Sequence, residues 1–574
     1  TDPVKAQCLW ASGPLRSDFQ WPDAVTVPLA ERFYRREKRE PFRPWNGSGK
    51  GAQQKNMQKQ SYHNPIISGY HPDPSICRVG DDYYIVNSSF EYFPGVPVYH
   101  SRNLVNWELT GHCLTTPRQL PLEKCRVSGG IFAPTLRYHD GWFFMTTTNV
   151  TGGGNFIVSS READQGWSDP VWIDQGGIDP SLLFDDDGKV YYTTAAADEE
   201  GRSCILICEL DPFTGEKFTE SRILSYGCGG RNPEGPHLYK IHGKYYLMLA
   251  EGGTEYGHME TIQRSDSPWG PYEPCPHNPI LSHREDCRGE IYCTGHGDLL
   301  EDANGNWWMV CLAIRPCGRK NNRVMMHNLG RETFLAPVVW DEDGWPVVGD
   351  HGRIALEMEG PLPGRAEPVC RDFREEFSGA TFSVHYNFLR NPRMENYVFL
   401  PEKKKLVLKG TEITLNEQDT PTWLGVRQKD FDTVTTIKLR PAGRVQGMRV
   451  GLTAYYNNDY HYEIYLTREL DQWKICLAKH VHDIFAVTEQ TEAELPEDGT
   501  LWLRIATNRE TYTFLFSTDG ETYRKLGTGL AVGLCTEGTR TMTFTGTYLA
   551  MFAELAAMEV SLFEVKVLDL QNEW

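Results

Sequence analysis

Gly177-Ile178-Asp179-Pro180-Ser181-Leu182-Leu183-Phe184-Asp185-Asp186-Asp187-Gly188-Lys189-Val190-Tyr191-Tyr192 is the stretch on which the reading of the chain turns. A carboxylate ahead of a proline opens a short apolar run. A turn rich in Asp and Gly follows, and a second run opens on paired aromatics. Short apolar runs bounded by turn residues read as strands, and an Asp-Gly turn between them is a hairpin signal.

Four other segments repeat this layout: HPDPSICRVGDDYYIVNS from His71, FAPTLRYHDGWFFMTTT from Phe132, PEGPHLYKIHGKYYLMLA from Pro233 and GHGDLLEDANGNWWMVCLA from Gly295. Their aromatic pairs are Tyr83-Tyr84, Trp142-Phe143, Tyr191-Tyr192, Tyr245-Tyr246 and Trp307-Trp308. A spacing of roughly 46 to 62 residues leaves room for about four strands per copy, the period of a β-propeller, here of five blades. Long helical periodicity is absent, which removes alternating β-α architectures.

Propeller blades stack their innermost strands around one axis, so the residues at the heads of those strands converge at one end of a channel. These head residues are Asp73, Ala133, Asp179, Glu234 and His296. Taken singly, Asp before Pro forms an Asx turn and Glu before Gly caps a turn. Three carboxylates at matching positions of three copies are a different matter, because crowding like charges costs free energy and marks a functional site. Inverting glycoside cleavage needs a general acid and a general base about 6.5–9.5 Å apart, with room for a water between. A third carboxylate beside the acid would hold its proton on at neutral pH.

Composition fits this reading and narrows the alternatives. Aromatics make up 12% of the 574 residues, with 16 Trp and 27 Tyr, which suits both sheet cores and the stacking of sugar faces. A net charge of −19 excludes a polyanionic partner such as nucleic acid. The one basic cluster, ERFYRREKRE from Glu31, carries three Glu and reads as a solvated face. No apolar run is long enough to span a membrane. The fifteen cysteines show no pairing rhythm and no CxxC, so reduced, buried thiols in a cytoplasmic protein are expected, without a zinc site. The glycine runs at 152–154 and 227–230 lack the Lys-Ser/Thr and helix of a phosphate loop.

The start, TDPVKAQCLW, has no apolar leader region, and the first methionine is Met57. Met57 is therefore expected as the native start, with residues 1–56 an appended or loosely ordered extension. The expected domains are the extension over 1–62, a propeller over 63–360 and a β-sandwich over 361–574. The sandwich follows a Pro/Gly-rich linker, EGPLPGRAEP, and is read from alternating strands such as VGLTAYYNNDYHYEIYL and LWLRIATNRETYTFLFSTDG.

Together HPDPS, GIDPSLLFDDDG, EGPHLYK, TGHGDL and NLGRETFLAPV resemble glycoside hydrolase family 43, the β-xylosidases and α-L-arabinofuranosidases. The resemblance runs from about Asn64 to the C-terminus. It implies Asp73 as general base, Glu234 as general acid and Asp179 as the residue that tunes the acid and holds substrate. It also implies sugar contacts from Arg331 in GRET, and from Phe90 and Phe132, which match rings lining the −1 sugar. Relatives often carry Trp at the second of these. His296 matches a histidine near the channel centre that in many relatives lies beside a hydrated calcium ion, so calcium near His296 and a hydrogen-bonded core histidine both stay open, and the chemistry itself requires no cofactor. The C-terminal half resembles the lectin-like domain of these β-xylosidases, with Phe544 in TFTGTY as the aromatic that closes one side of the pocket.

The sequence thus predicts an all-β chain, a five-bladed β-propeller followed by a lectin-like β-sandwich. The activity it implies is an inverting, exo-acting β-1,4-xylosidase that releases xylose from xylobiose and short xylo-oligosaccharides. α-L-Arabinofuranosidase activity, alone or as a second activity, is the nearest alternative, and a non-catalytic sugar-binding protein is the alternative of another class. Xylo-oligosaccharide is the expected partner, with no nucleic acid and no membrane, and homo-oligomerisation stays open.

Overall fold

The computed structural model describes residues 59–286, 289–318, 326–539 and 542–568. Met57 and residues 1–56 lie outside the described residues. The alternating apolar runs form strands throughout, and no α-helix occurs among the described residues.

Five antiparallel sheets follow one another in chain order, within residues 75–114, 135–172, 178–225, 234–282 and 292–348. Their first strands are Ser75–Val79, Thr135–His139, Ile178–Phe184, Glu234–Ile241 and Tyr292–Glu301. Each first strand touches the first strands of the sheets before and after it, and the fifth returns to the first. The five strands therefore make a closed circuit about one axis.

Paired aromatics explain the closure. Successive strand residues point to opposite faces, so the two rings of each pair enter the two gaps that flank their sheet. Tyr84 and Phe143 fill the gap between the first and second sheets. Trp142 and Tyr192 fill the next, and Tyr191 and Tyr245 the third. Tyr246 and Trp307 fill the fourth gap, and Trp308 and Tyr83 the last, between the fifth sheet and the first. Every gap receives one ring from each side. The start of the described chain clasps the closing sheet: Gln60–His63 pairs antiparallel with Glu357–Gly360, and Asn64 Nδ2 donates to Leu335 O at 2.9 Å. Residues 60–62, assigned above to the extension, pair with residues 358–360.

The C-terminal half is two packed sheets. One has the strand order Thr422–Arg427, Tyr548–Glu554, Arg449–Asn457, Tyr460–Glu469, Gln472–Val481 and Ile484–Glu492. The other is an eight-stranded sheet centred on Ala557–Val567 and Thr433–Ala442. Ile437, Leu439, Val450, Leu452 and Ile464 lie in the core between them. Ring and sandwich share a buried boundary. Phe388–Leu389 pairs with Tyr92–Phe93, and the Tyr92 and Tyr548 rings stack with centroids 4.2 Å apart. Thr547 N donates to Asn328 O at 2.9 Å, and Gly546 is so close to Leu329 that a Cβ there would lie 2.3 Å from its carbonyl oxygen.

Trp308, fully buried in the closing gap and hydrogen-bonded through Nε1 to Asp302, tests this account. Trp308→Ala is expected to destabilise by about 3–5 kcal/mol, read as a lower midpoint in urea unfolding. Leu470→Ala, at a side chain 91% exposed, is expected to shift stability by no more than about 0.5 kcal/mol.

Candidate active site

A regular strand would aim the head residues into the gaps between sheets. Local irregularities turn them to the axis instead. Asp73, Asp179 and His296 all take left-handed backbone, with φ of 51°, 53° and 48°. Asp tolerates that region, and the following proline of Asp73 and Asp179 keeps both out of the helical one. Pairing slips between Ile178 and Ser181, between Glu234 and His237, and between Gly295 and Asp298. Such bulges are a common means of re-aiming a side chain at a functional site. Gly235, at φ 56°, lies under the His296 ring, where a Cβ would be 3.1 Å from Cε1.

Asp73 is buried and firmly held. Asn87 Nδ2 ties down the carbonyls of His71 and Pro72, Ser88 Oγ donates to Asp73 Oδ2 at 2.5 Å, and the Arg331 guanidinium spans both carboxylate oxygens at 2.9 and 3.4 Å. Burial alone would raise the carboxyl pKa, but Arg331, His296 and the Ser88 hydroxyl together hold it below its ordinary value. His296 Nδ1 stands 3.7 Å from Asp73 Oδ1.

Glu234 meets the opposite fate. It is half-buried, and burial, reinforced by the charges of Asp179 and Asp73, pushes it up to about 8. Asp179 is raised as well, by burial first and by Asp73 among its neighbours. Between these two carboxyls we place the proton on Glu234, because Asp179 Oδ2 accepts the Gly235 N–H at 3.1 Å, a bond that favours its ionised form. The same small space thus holds one carboxylate kept charged and one carboxyl kept neutral, the arrangement acid–base chemistry requires.

Three rings cluster beside these groups. Phe90, pinned by paired backbone hydrogen bonds to Ile131, lies 5.2 Å from Phe132 and 5.7 Å from Phe544 between centroids. Phe544 belongs to the sandwich. Its N–H donates to Ser128 Oγ at 2.9 Å, and its carbonyl accepts from Arg331 at 3.4 Å. The structure therefore brings together all eight residues singled out in the sequence. Ala133, the remaining head residue, is buried and carries no functional group.

Beside Arg331 and Phe544 opens a cavity of about 300 Å³ that sequence reasoning missed. Thr254, Tyr256 and Cys293 line it from the ring, and Thr536, Glu537 and Thr543 from the sandwich. His327 Nδ1 pairs with Glu537 Oε1 at 2.8 Å across the boundary; burial pushes the Glu537 carboxyl up, but the His327 contacts and the backbone N–H groups beside it together hold it low. His327 stands four residues before Arg331 and so had a motif beside it, whereas nothing local marks Glu537.

The described residues offer a calcium ion near His296 no cage of side-chain ligands, so such an ion would be held largely by water. Calcium takes about six to eight oxygen ligands. The carboxylate beside His296, Asp73, is committed to Arg331 and Ser88, and the ring packs against Gly235. Among the described residues no three His, Cys, Asp or Glu side chains are grouped to hold a metal.

Known proteins resemble this chain along most of its length. Residues 62–346 match the glycosyl hydrolases family 43, and residues 374–560 match the β-xylosidase C-terminal concanavalin A-like domain. The chain is 43% identical over 466 residues to the non-reducing end α-L-arabinofuranosidase of Bacteroides ovatus, covering 80% of this chain and 85% of that protein. It is 39% identical over 426 residues to a xylosidase/arabinosidase of Butyrivibrio fibrisolvens, covering 71% and 80%. Among solved structures, xylan β-1,4-xylosidase from Bacillus halodurans superposes with a TM-score of 0.81 at 30% identity, over 88% of this chain and 99% of that one.

Proposed function

The chain belongs to family 43 of the glycosyl hydrolases, and from that premise we propose that it is an exo-acting, inverting β-xylosidase with a five-bladed propeller and a lectin-like sandwich. The observation that carries this reading is the Arg331 guanidinium spanning both oxygens of Asp73, with Asp179 and Glu234 acting on one another nearby, so that one carboxylate is held low and another carboxyl is pushed up. In the proposed reaction Asp73 takes a proton from water as the water oxygen attacks the anomeric carbon. Glu234 gives its proton to the glycosidic oxygen as that bond breaks. The sugar departs with inverted configuration, and Asp179 keeps the acid loaded between turnovers.

Arg331, whose Nε is buried without a partner, is positioned to receive a sugar hydroxyl, and Phe90, Phe132 and Phe544 offer an apolar wall for the terminal ring. The cavity running on from Arg331 and Phe544 would take the leaving sugar. Closure by Phe544 from the second domain supports action at chain ends. The C-terminal domain match favours xylosides. The 43% identity to an arabinofuranosidase favours α-L-arabinofuranosides as a second substrate of the same pocket. Free cysteines throughout the described residues support a reducing, cytoplasmic setting.

Proton NMR of xylobiose hydrolysis is expected to show α-xylose first, and β-xylose as the first anomer would reverse the assignment of Asp73. Glu234→Gln is expected to slow xylobiose hydrolysis by about 10²–10⁴-fold. Its effect on 4-nitrophenyl β-xyloside, whose leaving group needs little protonation, is expected to be much smaller. Asp73→Asn should suppress both substrates alike, and equal loss on both in Glu234→Gln would argue against an acid role. Comparing 4-nitrophenyl β-xyloside with the α-L-arabinofuranoside decides between the two specificities.

The pH profile follows from the same carboxyls. Glu234 donates only while protonated, so kcat/KM is expected to fall as pH rises through about 8. Asp73 acts only when ionised and is held low, so the acid limb is expected below the usual carboxylate range of about 4. Activity undiminished well above pH 8 would remove Glu234 as the acid.

A further inference from the structure

One pleat below the head residues lies a second layer of polar side chains that the hydrolytic roles leave unused. Ser75 follows Asp73 by two residues, Ser181 follows Asp179 by two, Asp298 follows His296 by two, and His237 follows Glu234 beyond its bulge. The second sheet, whose head residue Ala133 has no charge to offer, sends in Arg137 instead.

The Arg137 fork ties this layer together. It donates to both oxygens of Asp298 at 2.7 and 3.1 Å, to Ser75 Oγ at 3.2 Å and to His237 Nδ1 at 3.0 Å. Ser181 Oγ stands 2.9 Å from the same His237 nitrogen. Asp298, wholly buried, also accepts from Ser75 Oγ at 2.7 Å and from Tyr239 OH at 2.6 Å. All five sheets thus meet in one hydrogen-bonded cluster around a single guanidinium. A planar fork with several fixed donors can hold such a cluster, whereas an ammonium could satisfy only part of it.

We propose that Arg137 is the resident cation of the channel axis and a positioning residue for the hydrolytic layer, so that hydrolysis requires no calcium. Its neutralising partner is Asp298, and the pair fixes the strands from which Asp73, Asp179, Glu234 and His296 project. A shift of about 1 Å in such groups costs roughly 10²-fold in rate, so the assignment has kinetic consequences.

The test uses the full chain, with 4-nitrophenyl β-xyloside and the α-L-arabinofuranoside as substrates. Treatment with EDTA followed by desalting is expected to leave kcat, KM and melting temperature unchanged, with or without added calcium chloride. Loss of activity or of melting temperature on chelation, restored by calcium, overturns the axis assignment. Arg137→Met is expected to lower kcat about 10²-fold with KM within about two-fold. Arg137→Lys, which keeps the charge beside Asp298 but not the fork, is expected to recover melting temperature without recovering kcat. Wild-type kcat in either folded variant overturns the positioning role. Should Arg137→Met fail to fold, Asp298→Asn removes the other half of the clamp and is expected to give the same loss in kcat, with an unchanged kcat again overturning the proposal. The kinetic arm rests on the hydrolase reading. A wild-type enzyme that cleaves neither glycoside ends that reading, while melting under chelation still decides which cation holds the axis.

Discussion

A sheet that forms part of a closed ring has two faces to bury and no free face to leave to water. That constraint governs the N-terminal half of this protein. Each gap between sheets is filled from both sides, and the aromatic pair at the start of each second strand serves two gaps at once because neighbouring strand residues point in opposite directions. Remove one ring and two sheets lose packing. The closing gap is the most demanding, since its two sheets lie far apart in sequence. There Trp308 and Tyr83 are joined by the strand Gln60–His63 and by Asn64, which clasp the end of the ring from the start of the chain.

The same pattern explains what was legible in the sequence. An aromatic pair behind a Gly turn is a local signal, and finding it five times put the equivalent strands in register. Counting back from each pair located Asp73, Asp179, Glu234 and His296. What the sequence did not carry was the consequence of closing the ring. Arg137 is separated from His237 by 100 residues and from Asp298 by 161. In isolation, LRYH gives no reason to prefer an axial arginine over an exposed one. Glu537 meets His327 from a different domain, across 210 residues. The calcium reading had a related limit: it was attached to His296 alone, while the donors available to a cation depend on what Arg331 and Ser88 have already claimed.

Burial acts on all three carboxyls in the same direction, so burial cannot by itself create two roles. The difference comes from the groups around Asp73, with Arg331 foremost and His296 and the Ser88 hydroxyl beside it. Arg331 spans both oxygens of Asp73 and holds that carboxyl low, against its burial. Its influence on Glu234 is smaller than that of burial and of the two neighbouring acids, so Glu234 stays high. The bulged backbone matters here because it decides distances: a head residue turned by one position would face a gap, out of reach of both Arg331 and its fellow carboxyls.

Arg331 is also where the two domains meet electrically. The guanidinium beside Asp73 also donates to the Phe544 carbonyl, through the same Nη2 that reaches Asp73 Oδ2, and its carbon lies 5.4 Å from the Phe544 ring centroid. Phe544 in turn is anchored to Ser128 of the ring domain. A displacement of the Phe544 loop would therefore do more than open the pocket wall. It would loosen the arginine and weaken its hold on Asp73, leaving His296 and Ser88 to oppose burial with less help, so that carboxyl would rise. The sandwich is thus coupled through Arg331 to the charge of Asp73, and undocking it would be felt as a change in pH dependence as well as in access.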